Sequence, residues 1–163
     1  MKIFWIGLAL LVALALQSVV STLLPVHARM LDPFLLVLVY IALGSGETAG
    51  MLVGAAAGWI QDVHFGGEVL GLSALGKLLV GFAVGIASTR FHLADPAARV
   101  LVLFAASLAD SVLFMQLASV FELQTLGLSP LATVSRAALN AGIGLGVYEL
   151  VERWGGRERR ERL

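Results

Sequence analysis

The sequence predicts an all-α integral membrane protein with six transmembrane helices and a short second helix. Three observations carry this. The chain is 59% hydrophobic and only 13% charged over 163 residues, against roughly 25% charged in a soluble domain. Its mean hydropathy is +0.93. Its 18 glycines sit inside apolar runs, as they do in membrane helices. The length suits one domain, here 1–154, followed by a charged tail at 155–163. With no cysteine in the chain, disulfides, thiolate metal ligands and cysteine nucleophiles are excluded.

A spanning helix needs roughly 20 mostly apolar residues. Ile3 to Leu24 meets this and is closed by Pro25. The run exceeds the roughly 7–15 apolar residues of a signal-peptide core, so a membrane anchor is preferred to a cleaved leader. Asp32-Pro33 supplies an N-cap and a first-turn proline. The apolar run behind it ends at Gly44-Ser45-Gly46, which makes the second helix short. A third helix is predicted from about Glu47 to Gln61 and a fourth from about Val69 to Ser88. Asp95-Pro96 opens a fifth, reaching Phe121, and Ser129-Pro130 a sixth, to about Val151.

The positive charges orient these helices. With six spans, one side of the membrane holds both termini and the loops near 44–47 and 89–99. That side carries Lys2, Arg90, Arg99, Arg153, Arg157, Arg159, Arg160 and Arg162, eight of the eleven basic residues. The other side carries only Arg29. The positive-inside rule puts both termini in the cytoplasm. A re-entrant hairpin over 33–61 would preserve this parity.

Small residues four apart form flat strips on which another backbone can approach closely. Gly46, Gly50, Gly54 and Gly58 form one strip. Gly67 and Gly71, Gly81 and Gly85, Gly142 and Gly146, and Ala9 and Ala13 form others. Packing within the bundle is the preferred reading of each strip, and a partner's helix is the alternative.

Lys77, Asp110 and Arg136 fall inside predicted spans. Each costs roughly 2.5–3.5 kcal/mol at a helix centre unless it is paired or faces water. At 1.5 Å per residue they lie about 12, 17 and 9 Å from the outer helix ends, close enough to meet. Asn140 shares the Arg136 face, and Ser107 and Ser111 flank Asp110. A structural clasp, with Asp110 pairing to Arg136 or Lys77, is preferred to an ion pathway.

The segment Gln61-Asp62-Val63-His64-Phe65-Gly66-Gly67-Glu68 holds an Asp, a His and a Glu. As metal ligands these form a loose pattern that no second cluster completes, and His27 and His92 stand alone. A membrane-surface turn accounts for it better. Asp62 would end the third helix and cap the turn through glycine amides. Gly66, Gly67 and Gly71 would supply the reversal and begin close packing.

Residues 47–85 resemble the signature region of the MreD family of bacterial rod shape-determining proteins. The features are a glycine-spaced helix ending in Asp62, Gly66-Gly67, Gly71-Leu72-Ser73-Ala74-Leu75, and Leu79-Val80-Gly81-Phe82. The Asp32-Pro33 entry and the Arg136/Asn140 face are similar too. Lys77 departs from the pattern, where an apolar or small residue is expected. The resemblance implies a non-enzymatic, multi-pass subunit of the bacterial inner membrane, without cofactors, that serves lateral peptidoglycan synthesis. Its implied partner is the single-span protein MreC, and through it MreB filaments, RodA and a penicillin-binding transpeptidase. It also implies a fold similar to the substrate-binding subunits of energy-coupling-factor vitamin transporters. Such a subunit is the alternative function. The predicted outer loops 25–33, 62–68 and 122–129 hold one aromatic, Phe65, which is little for a vitamin pocket.

Overall fold

A computed structural model describes residues 2–23, 30–65, 69–90, 95–122 and 129–160. Side chains at 2, 96 and 151–160 lie outside the description. The described residues form six helices and no strand: α1 Lys2–Leu23, α2 Pro33–Ser45, α3 Glu47–Phe65, α4 Leu72–Arg90, α5 Pro96–Val120 and α6 Pro130–Arg160. Three of them, over Ile3–Leu23, Leu72–Arg90 and Ala97–Val120, are long and apolar enough to cross a membrane. At 13 residues, α2 spans about 20 Å. α3 is Gly- and Ala-rich and carries Glu47 and Asp62 near its two ends.

The helix starts follow the local signals. Asp32 caps α2, its carboxylate accepting the Leu35 N–H at 3.0 Å, with Pro33 in the first turn. Asp95 caps α5 through the Ala97 N–H at 3.3 Å. Gly46 closes α2 at φ +83°, donating its N–H to Ala42 O. A side chain is strained at that φ, which is the reason for glycine there. The position of the turn after α3 differs from the sequence expectation. α3 continues through Asp62 to Phe65, and α4 begins at Leu72 rather than near Val69. α6 continues to Arg160, so its helix runs through much of the predicted charged tail.

α2 is the central helix, and it packs against each of the other five. Its Phe34, Leu35, Leu38, Val39 and Ala42 are essentially inaccessible and form the middle of the core. α3 and α4 make the most extensive helix pair, α5 joins α4, and α6 lies mainly on α5. α1 packs on α2 and α3, with Leu10 and Ala13 in the core and Ile3, Trp5, Leu11 and Val12 exposed. Exposed apolar residues continue along α3, α5 and α6. Apolar exposure on that scale is a hazard in water and the ordinary state in lipid.

Candidate functional site

Two constructions dominate the interior, and α4 takes part in both. On one face α4 meets α3 almost backbone to backbone. A Cβ placed at Gly50 would collide with the Gly81 carbonyl, and one at Gly81 with the Gly50 carbonyl. A Cβ at Gly54 would strike the backbone of Lys77, at Gly58 that of Ser73 and Ala74, and at Gly85 that of Gly46 and Glu47. The partners move down α4 as they move up α3, so the helices run antiparallel. Every fourth residue of α3 between 50 and 58 must be glycine for this approach. The strips Gly50/Gly54/Gly58 and Gly81/Gly85 are therefore consumed inside the protein. Leu38 and Ala42 of α2 cover the Gly50–Gly81 contact, and Ser88 Oγ donates to Gly85 O at 2.7 Å and to Ala42 O at 3.2 Å.

Asp62 connects the same two helices at one end. From the last turn of α3 its carboxylate accepts the N–H of Gly71 at 2.9 Å, of Ser73 at 3.1 Å and of Ala74 at 3.4 Å. These are orphan donors at the start of α4, so Asp62 is an N-cap supplied from a neighbouring helix. Gly71 sits at φ +98° to make that turn. Gly66, Gly67 and Glu68 lie outside the described residues. Among the described residues no group of three His, Cys, Asp or Glu side chains is arranged to hold a metal ion.

On its other face α4 carries Lys77, only 1% exposed. The Nζ donates to Asp32 Oδ2 at 2.7 Å and to both carboxylate oxygens of Asp110 at 3.2 Å. Arg136 Nη2 donates to the same Asp32 Oδ2 at 3.1 Å and reaches Asp110 Oδ2 at 3.5 Å. Two acids and two bases from α4, α5, α6 and the start of α2 thus form one neutral cluster. Asn140, fully buried one turn beyond Arg136, joins the same elements. Its Oδ1 accepts the Asp32 N–H at 3.0 Å, and its Nδ2 donates to Ser107 Oγ at 3.0 Å. Ser111 Oγ donates to Ser107 O at 2.9 Å.

Lys77, Asp110, Arg136 and Asn140 converge as their depths along the helices predict. Asp110 pairs with both bases rather than choosing one. Asp32 was readable only as a helix cap, and it proves to be the second acid. A signal for it existed. One acid facing two bases leaves a buried positive charge, a costly state, and Asp32 is one of the carboxylates, with Asp62 and Glu122, at the same end of the helices. One of its oxygens caps α2 while the other binds Lys77 and Arg136.

Of the other predicted packing residues, Ala13 is buried in the core and Ala9 is half-buried. Gly142 and Gly146 differ from the α3/α4 glycines. Both are exposed, and a Cβ at either would meet nothing within 4 Å. Gly144, on the opposite side of α6, is enclosed by Leu36 and Leu103.

These features define an all-helical membrane protein whose interior is filled by apolar packing and a closed charge cluster. The chain belongs to the MreD family: the family model, described as rod shape-determining protein MreD, matches residues 1–143. Membership makes it a membrane protein of the cell shape-determining system. No curated protein and no solved structure matches it.

Proposed function

We propose that the chain is a non-catalytic, six-crossing scaffold of the bacterial inner membrane with both termini in the cytoplasm. In this reading it acts in cell elongation by binding an MreC-like single-span protein, and so helps position the lateral wall synthases, RodA and its penicillin-binding transpeptidase, near MreB filaments. α6 is the docking helix. The observation that carries this is the unequal use of glycine. The α3 and α4 strips are filled by each other, whereas Gly142 and Gly146 open outward between Leu139, Ile143 and Val147, all exposed. In lipid, helices associate through such close approach and not through apolar burial. The packed interior favours this reading over the vitamin-binding alternative, because both carboxylates of the cluster are taken up by its own bases and Asn140 by Asp32 and Ser107.

The test is co-purification from membranes with the MreC-like protein, for the parent and for Gly142→Leu/Gly146→Leu. The expected result is unchanged accumulation and loss of the partner. Undiminished partner recovery would refute the docking face. Recovery instead with an ATPase module and a tightly held small molecule would refute the scaffold.

A further inference from the structure

The four charges of the cluster are unequally held. Lys77 Nζ contacts three carboxylate oxygens between 2.7 and 3.2 Å, and its side chain is 2% exposed. Asp32 accepts from Lys77 at 2.7 Å and from the Leu35 amide at 3.0 Å, with a side chain 1% exposed. Arg136 is looser. One nitrogen, Nη2, makes its contacts, at 3.1 and 3.5 Å, its buried Nε donates to nothing, and the side chain is 16% exposed. Asp110 is the more open acid at 8%, and its bonds to Lys77 and Arg136 are 3.2 Å or longer.

We infer that Arg136 and Asp110 form a proton-operated latch on the first turns of α6, while Lys77 and Asp32 stay locked. Electroneutrality drives the argument. A low-dielectric interior penalises an unpaired charge by several kcal/mol. If Arg136 swings out alone, Asp32 and Asp110 face Lys77 and one negative charge is stranded. If a proton from the aqueous phase binds an Asp110 carboxylate oxygen as Arg136 leaves, the interior retains Lys77, Asp32 and a neutral carboxylic acid. Both states are neutral inside, and the departing guanidinium keeps its charge in water or against lipid phosphates.

The charged groups facing Asp110 from the elements packed on α5 are Lys77 of α4, Arg136 of α6 and Asp32 at the start of α2. Asp32 is the poorer proton acceptor, because protonation there weakens both the short Lys77 contact and the α2 cap. Lys77 has no comparable way out. The latch has a built-in pivot at Asn140. Its bonds to Asp32 and Ser107 hold α6 while the turns before it move. The inference does not depend on which protein α6 binds.

The chain's lack of cysteine allows a clean distance measurement. Spin labels at Leu131→Cys and Val120→Cys, both exposed and outside the cluster, report the separation of α6 from α5 in the full chain in bilayers. The parent should show one narrow distance at neutral pH and a longer or broader distribution on acidification. Asp110→Asn, which mimics the protonated acid, should show the open distribution at neutral pH and no further response to acid. A narrow distance in the parent at both pH values would overturn the latch. So would an acid response that persists in Asp110→Asn, since the proton would then bind elsewhere. A second measurement guards against a variant that does not fold. Arg136→Gln/Asp110→Asn should accumulate severalfold better than Arg136→Gln alone, whereas Arg136→Gln/Asp32→Asn, equally neutral, should gain little because it gives up the short Lys77 contact and the α2 cap. Equal rescue by both would overturn the proposed ranking of the two acids.

Discussion

The two faces of α4 hold the bundle by opposite means. Toward α3 it presents Gly81 and Gly85 and gains many weak contacts from near backbone contact. Toward α2, α5 and α6 it presents Lys77 and gains a few strong ones. The first face tolerates no added volume. The second tolerates no change of charge. The faces are also linked, because the α4 backbone that Gly54 abuts is that of Lys77 itself. A widened α3–α4 contact would therefore displace the hub of the cluster. The wider lesson is that one membrane helix can be specified by shape on one side and electrostatics on the other, with no apolar driving force needed for either.

Lys77→Met attacks the charged face and should have the largest effect. It leaves two buried carboxylates facing Arg136 alone. Removing one partner of a buried ion pair costs about 3–5 kcal/mol. Accumulation in membranes and thermal stability in detergent should both collapse, and parent-like values would show that the cluster does not hold the fold. Gly54→Val attacks the glycine face. Overpacking costs about 1–3 kcal/mol, here against rigid backbone, so a marked drop in melting temperature is expected. A variant as stable as the parent would mean that the helices are not in backbone contact.

Asp62→Ala tests the end of the α3–α4 contact. Loss of a helix N-cap costs about 1 kcal/mol, read as a small shift in melting temperature, and Asp62→Asn should recover part of it. If His64 or Asp62 instead held a metal, a chelator would reproduce the loss in the parent. Gly142→Ala should have the smallest effect on stability, within about 0.5 kcal/mol, as for a surface position. A drop comparable to that of Gly54→Val would show that the α6 strip is enclosed, and the contrast between used and open glycines would fail.

Much of this was legible in the chain. Helix positions followed from apolar run length and from the Asp-Pro pairs at 32–33 and 95–96, because caps and span lengths are local and set by the backbone's own hydrogen bonding. The meeting of Lys77, Asp110 and Arg136 followed from depth, since a charge in lipid needs a partner at its own level. The sequence ends α3 four residues early because Asp62 reads as a stop signal. Its carboxylate instead serves the N-terminus of the next helix. Nothing local distinguishes a cap that acts on its own helix from one that reaches across a turn.

The division between pattern and packing is sharpest at the glycines. The four-residue spacing at 50–58, 81–85 and 142–146 is the same pattern in each case, and it establishes that each helix has a flat side. Which strips are used depends on how the helices are arranged around α2. Tertiary structure spends the first two on each other and leaves the third open. Asp32 teaches the same thing. Its role as a cap is written in the next two residues, whereas its role as the second acid needs Lys77 and Arg136, 45 and 104 positions away, within 3.1 Å. Residue type and spacing settle what a side chain is able to do, and only the folded bundle, by choosing its neighbours, settles what it does.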